Sequence, residues 1–238
     1  MKKSFKWLIG IVIALIVVGF ASILFIKSKE YHPSATALNA ASDTTLVNGT
    51  TKFQGDDTNP MIIFYPGALV APKSYSIWAK NLAEAGYSVY IVHFPLDLAV
   101  LKTNAAASVQ RNRDYIIGGH SLGGTIACRY AKNNSKNLKG VFLLRSYPEQ
   151  KGNLHETKVP VISLTASNDG VLNRKNYKKA KKLLPPDTIY EQISGGNHAG
   201  FGSYGKQSGD NVASISNAKQ QNIISNLLIN WLHSNISE

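Results

Sequence analysis

The stretch Tyr115 to Gly124 reads Y-I-I-G-G-H-S-L-G-G. A short apolar run ends in Gly119-His120-Ser121-Leu122-Gly123, and a segment with helical character, Thr125 to Lys132, follows at once. Few folds accommodate that order. The apolar run suits a strand covered on both faces. The glycines two before and two after Ser121 let a strand and a helix meet at a sharp turn with the serine at its apex. Taken alone, the pentapeptide also reads as a glycine-rich turn with an incidental serine. The rest of the chain decides between the two.

From Met61 onward the pattern is regular. Met61 to Tyr65, Tyr87 to Phe94, Tyr115 to Gly119, Gly140 to Leu144, Val159 to Thr165 and Thr188 to Ile193 read as strands. Helical segments are expected at Tyr75 to Ala85, Leu98 to Gln110, Leu172 to Leu184 and Asn217 to His233, the last with Ile223, Ile224, Leu227, Leu228 and Trp231 on one side. Alternating strands and helices predict an α/β fold, a mostly parallel sheet with helices on both faces. Ligands of such sheets sit at the carboxyl ends of the strands, where Ser121 lies. Ahead of this region, Asn48-Gly49 between Thr44 to Val47 and Thr50 to Gln54 signals a hairpin.

The N-terminus carries Lys2, Lys3 and Lys6, then Trp7 to Ile26 without a charge, then Lys27 and Lys29. Twenty helical residues at ~1.5 Å each span ~30 Å, a bilayer's hydrocarbon thickness. This predicts a single membrane anchor over residues 1–30, with the N-terminus inside the cell and the rest outside. Gly19-Phe20-Ala21 offers a signal-peptide cleavage site, but the apolar run continues to Ile26, which favours retention. A linker over 31–43, with a helical turn expected near Ser34 to Ala41, and one domain over 44–238 follow. The net charge is +12, and removing the three leading lysines leaves +9. That excess suits anionic lipid or an acidic wall polymer, and the basic helix with Arg174, Lys175, Lys178, Lys179, Lys181 and Lys182 is the candidate contact. No zinc-finger spacing or aromatic-basic motif points to nucleic acid. The single cysteine, Cys128, excludes an intrachain disulfide and reads as a small buried hydrophobe.

A serine hydroxyl needs a general base to act as a nucleophile near neutral pH. Of six histidines, His198 in Gly195-Gly196-Asn197-His198-Ala199-Gly200 follows the last strand in a flexible loop at the carboxyl edge. His93 reads as strand packing, and the His120 side chain is expected to point away from the turn. The base in turn needs a carboxylate to fix its tautomer. Asp169, in Asn168-Asp169-Gly170 after the fifth of these strands, is preferred over Asp187 and Glu191. A tetrahedral intermediate would need two backbone N–H donors. Leu122 heads the helix after the serine. The second donor should come from Pro66-Gly67-Ala68-Leu69, with Ala68 chosen and Leu69 the alternative. No metal-ligand spacing or phosphate-binding loop is present, so no cofactor is expected.

The words Phe64-Tyr65-Pro66-Gly67-Ala68, Tyr90-Ile91-Val92-His93-Phe94-Pro95-Leu96, Gly118-Gly119-His120-Ser121-Leu122-Gly123-Gly124, Asn168-Asp169-Gly170 and Gly196-Asn197-His198 resemble the α/β-hydrolase superfamily, in its small anchored or exported bacterial branch. The resemblance runs from about Thr44 to the end. It implies a Ser-Asp-His triad, here Ser121, Asp169 and His198, and ester-type substrates. Pro66 departs from the His-Gly of many relatives. The short interval before Val159 leaves no room for a large cap domain. The leading expectation is a serine hydrolase of carboxylic esters. Acyl transfer through the same acyl-enzyme is one alternative, and a catalytically silent binding module of the same fold is another.

Overall fold

The structure is a computed structural model and describes residues 3–236; the side chains of residues 3–6, 9 and 10 lie outside that description. The chain forms two compact units, Met1–Glu30 and Tyr31–Glu238. The first is a helix, α1 (Lys3–Lys27). Its described apolar side chains, from Trp7 and Leu8 through Ile16 and Phe20 to Phe25, are exposed. Among the described residues no helix is long and apolar enough to cross a membrane. The lysines expected to flank the span on its N-terminal side lie outside the described side chains.

The second unit is built on one eight-stranded sheet: β1 (Thr45–Val47), β2 (Thr50–Phe53), β3 (Met61–Tyr65), β4 (Val89–Val92), β5 (Tyr115–His120), β6 (Leu138–Leu144), β7 (Val161–Ala166) and β8 (Ile189–Ile193). Their spatial order is β1-β2-β4-β3-β5-β6-β7-β8. β1 and β2 are the expected hairpin, with Asn48 and Gly49 both at positive φ, and β2 joins β4 antiparallel. From β3 to β8 every pairing is parallel. All six carboxyl ends therefore open on one edge.

Two apolar layers sandwich the sheet, and the period-two geometry of the strands assigns residues to them. Ile62 and Phe64 of β3 face one way, joining Trp78 and Leu82 of α3 (Ser76–Glu84) and Ile224, Leu228 and Trp231 of α7 (Asn217–Asn235). Met61, Ile63 and Tyr65 face the other way, against Ile126, Ala127, Cys128 and Tyr130 of α5 (Leu122–Asn133). Cys128 is fully buried there. Residues 145–160, between β6 and β7, hold only a 3-10 turn at Gln150–Gly152, so no cap domain covers the carboxyl edge.

Three expectations are corrected. Residues 31–43 are not a free linker but the start of the larger unit. Tyr31 N–H donates to the Leu69 carbonyl at 2.7 Å, and Ser34 N–H donates to the Ser203 carbonyl at 2.7 Å. Ser34 also caps α2 (Ala35–Ala40). The segment 98–110 is not one helix. A 3-10 turn (Ala99–Leu101) and the four-residue α4 (Ala107–Gln110) flank a break. There the Tyr65 hydroxyl donates to the Thr103 carbonyl and accepts from Ala106 N–H, replacing helical bonds. The basic α6 (Arg174–Ala180) is likewise shorter than expected, ending in a 3-10 turn before Pro185.

The close approach of β3, β5 and α5 makes a sharp demand. A Cβ on Gly123 would fall 2.1 Å from the Tyr65 carbonyl oxygen and 2.2 Å from that of Pro66. Both are backbone and cannot swing aside. Gly123→Ala should lower stability by about 3 kcal/mol, a drop in Tm of roughly 6–12 °C. Thermal unfolding of the purified variant checks this, and an unchanged midpoint would refute the packing argument.

Candidate active site

Ser121 stands between the end of β5 and the start of α5 at φ 52 and ψ −124. A non-glycine residue there is strained by roughly 1–3 kcal/mol and persists only where its surroundings fix it. They do so here. Ser121 N–H donates to the Leu144 carbonyl at 3.0 Å, and the Ser146 hydroxyl donates to the Ser121 carbonyl at 2.6 Å. The end of β6 thus clamps the turn from both sides.

Asp169 follows β7 and His198 follows β8. Their side chains meet: His198 Nδ1 donates to Asp169 Oδ2 at 2.8 Å in a buried pair. The other carboxylate oxygen, Oδ1, accepts Val171 N–H at 2.7 Å and Leu172 N–H at 2.9 Å. With Nδ1 so engaged, Nε2 is the His198 nitrogen left to accept a proton. Beside this pair, the ring of His120, the residue before Ser121, packs 4.6 Å from that of His198, centroid to centroid, and no hydrogen bond joins Ser121 to His198 among the described residues.

The sequence analysis missed Arg145. It follows β6, its side chain is 1% exposed, and its Nε donates to the same Asp169 Oδ2 that holds His198. Burial raises the Asp169 pKa, the largest single effect. The hydrogen bonds and charges of His198 and Arg145 outweigh it and hold the carboxyl far below its ordinary range. Burial lowers the Arg145 pKa, and Asp169 opposes that change. Arg145 Nη2 is buried with no partner among the described residues. The only sequence signal was a charged residue closing the apolar run 138–144.

Asp210 was missed too. Its Oδ1 accepts Gly170 N–H at 3.1 Å and its Oδ2 accepts Ala199 N–H at 2.9 Å. It therefore ties the residue after Asp169 to the residue after His198. The segment before it, Gly200 to Gly209, is held in place: Phe201 and Tyr204 are buried, and Trp78 Nε1 donates to the Phe201 carbonyl. A cavity of about 610 Å³ opens along this segment, lined by Asn197, Ala199, Lys206 and Asp210 but not by Ser121. It lies behind the His198 loop and is not where a bond at Ser121 would be cut.

His120 faces the site, contrary to expectation. The Tyr75 hydroxyl accepts Gly67 N–H at 2.9 Å, which leaves its own proton for His120 Nδ1, also at 2.9 Å. Burial first, and then the nearby His198, keep the His120 pKa well below its ordinary value, so the ring is neutral. His93 is held at a strand end by Thr51. Asp187 and Glu191 are exposed.

The same bonds sort the N–H groups after β3. Gly67 N–H is taken by Tyr75, Leu69 N–H by the Asp97 carbonyl at 2.9 Å, and Val70 N–H by the Gly67 carbonyl at 3.2 Å. Ala68 N–H has no partner among the described residues. Leu122 N–H, first in α5, has none within its helix. Among the described residues no group of His, Cys, Asp and Glu is arranged to hold a metal ion.

Because its folded-state pKa is depressed, Asp169 contributes stability that is complete above the unfolded carboxylate value of about 3.9. That stability is lost as pH falls toward the folded value. Arg145→Leu removes one of the two groups that depress it. The variant should be destabilised by about 3–5 kcal/mol, and the part of its stability lost on acidification below about pH 4 should be smaller and should be complete at higher pH. Urea unfolding over a pH series measures both, and an unshifted acid limb would contradict the pairing.

Several solved structures share this architecture. They include MGS-MChE2, an alpha/beta hydrolase enzyme from the metagenome of sediments of the Mar Chica lagoon, Morocco (16% identity, 81% of this chain and 99% of that one, TM-score 0.60). The esterase domain of a Rhodothermus marinus protein matches at 13% identity, over 79% of this chain and 93% of that one, with a TM-score of 0.60. A thermophilic esterase from Thermogutta terrifontis matches at 12% identity, over 82% and 97%, with a TM-score of 0.58. At these identities the likeness speaks for the fold alone. No curated protein matches the sequence. The model of one family, "Alpha/beta hydrolase family", matches residues 61–222, which span the sheet from β3 onward and every residue of the site. With that match over more than half its length, the chain belongs to the alpha/beta hydrolase family.

Proposed function

We propose that this protein cleaves carboxylic esters through an acyl-enzyme formed on Ser121. The observation that carries the reading is the buried Asp169–His198 hydrogen bond at the same carboxyl edge of the sheet as a serine held at positive φ. Ser121 Oγ attacks the ester carbonyl while His198 Nε2 takes its proton. Asp169 fixes the ring and stabilises the imidazolium. The oxyanion is received by Leu122 N–H and Ala68 N–H. Collapse expels the alcohol, which takes the proton from His198. Water then attacks the acyl-enzyme, giving its proton to His198, and the carboxylic acid leaves as the proton returns to Ser121.

Ser121→Ala should lower kcat on a short-chain aryl ester by about 10⁴-fold or more while the far-ultraviolet spectrum is unchanged. A phosphonate probe should label the wild-type protein at Ser121. Folded protein that the probe leaves unlabelled would instead favour a silent domain.

We further propose that α1 anchors the protein in the cell membrane with the larger unit outside. In support, α1 is 25 residues long, Trp7 to Ile26 carries no charge, and the described apolar side chains are exposed. Two outcomes are expected. The protein should stay in the membrane pellet through alkaline carbonate washing, and protease added to intact cells stripped of wall should digest the larger unit. Release by carbonate would count against the anchor.

A further inference from the structure

The larger unit begins at the catalytic edge. Tyr31 bridges Val70: its N–H donates to the Leu69 carbonyl at 2.7 Å, and its carbonyl accepts Ala71 N–H at 3.0 Å. Leu69 adjoins Ala68, the proposed oxyanion donor. The Tyr31 hydroxyl accepts Ser208 N–H, and its ring lies 5.5 Å from that of Tyr204, in the segment after His198. Only residues 28–30 separate Tyr31 from the end of α1. Three residues reach roughly 10 Å at full extension.

The same edge carries exposed apolar side chains. Val100 (45% exposed) and Leu101 (54%) follow β4, Val171 (39%) follows β7, and Val212 (83%) follows β8. Each lies in a loop leaving the carboxyl end of a parallel strand, as Ser121, Asp169 and His198 do. The loop bearing Val100 and Leu101 is joined to the oxyanion loop by the Leu69–Asp97 hydrogen bond. Exposed cations stand near them in the chain: Lys73 in the 3-10 turn after β3, Lys102 next to Leu101, Arg174 and Lys175 at the start of α6, and Lys206 after His198. Asp97 and Asp210 are half-buried, the latter spent on backbone N–H groups. Apolar tips among cations fit an anionic lipid surface.

We propose that the carboxyl edge of the sheet rests on the bilayer that holds α1, and that the ester cleaved there belongs to an amphiphile resident in that bilayer. This rests on the esterase and anchor readings above and adds the source of the substrate. The short tether brings the oxyanion loop to the lipid surface. The apolar tips of the loops after β4, β7 and β8 enter the interface, and the cations meet lipid headgroups. With no cap over Ser121, an acyl chain can pass from the interface to the site without crossing bulk water.

The test uses the full chain reconstituted in phosphatidylcholine–phosphatidylglycerol vesicles. It is assayed in parallel on a soluble short-chain aryl ester and on a fluorogenic glycerolipid ester embedded in the vesicles. Activity of the wild type on the soluble ester tests the esterase reading separately. The triple variant Val100→Ser, Leu101→Ser, Val212→Ser should keep the soluble-ester rate and lose at least about tenfold on the embedded ester. Equal losses on both substrates, or none, would overturn the proposal. A second readout needs no turnover. Cys128 is buried and its thiol is pushed up to about 12 by that burial, so a new surface cysteine can be labelled selectively. An environment-sensitive dye on Leu101→Cys should shift to the blue on vesicles. The same dye on Lys136→Cys, in the loop before β6 at the opposite edge, should not. A dye at 101 that stays water-like, or equal shifts at both positions, would also overturn it.

Discussion

A buried carboxylate organises the site. Asp169 is held in a place where an uncompensated charge would cost several kcal/mol. Oδ1 is spent on its own loop, on Val171 N–H and Leu172 N–H, and Oδ2 is shared by His198 and Arg145. Those donors come from the ends of three strands, β6, β7 and β8. Because one oxygen serves both side chains, the histidine is fixed only while the arginine balances the charge of the carboxylate. Asp210 repeats the connection at the backbone, joining Gly170 to Ala199. The register of three parallel strands is thereby converted into the position of one imidazole.

A packing constraint places Ser121. Gly119 and Gly123 allow β5, α5 and the end of β3 to come within backbone contact, and Ser121 takes up the resulting turn in a conformation that Leu144 and Ser146 lock. The same closeness sets the oxyanion loop. A Cβ on Gly67 would lie 2.7 Å from His120 Nδ1. The Tyr75 hydroxyl fits between the two and uses the Gly67 N–H. The elbow and the loop that faces it are therefore one packed unit, with Ala68 N–H left over as its polar face.

Much of this was legible in the sequence, for physical reasons. Continuous apolar runs such as 61–65 mark strands buried on both faces, and Asn48-Gly49 marks a turn that only a few residues tolerate. Ser121, Asp169 and His198 were singled out because each follows such a run, so reading the strands located the edge. Arg145 and Asp210 follow runs or lie in the same loops, yet their roles depend on contacts with residues 24 and 11 positions away, which no local pattern encodes. The break in 98–110 has the same origin. The local sequence favours a helix, and the Tyr65 hydroxyl, reaching in from β3, outcompetes it for hydrogen bonds. Residues 31–43 look like a polar linker because their order comes from backbone bonds to Leu69 and Ser203 rather than from apolar side chains.

The missing cap and the apolar loop tips bear on one problem. Backbone N–H donors stabilise a developing oxyanion far better where water is excluded. Enzymes with lids supply that exclusion from their own chain, and residues 145–160 are too short to do so here. A lipid interface against Val100, Leu101, Val171 and Val212 would cover the same opening and lower the local dielectric around Ala68 N–H and Leu122 N–H. Substrate delivery and desolvation then have a single cause. With α1 in the bilayer as proposed, the bond of Tyr31 to the loop after β3, three residues beyond that helix, would keep the covering surface within reach.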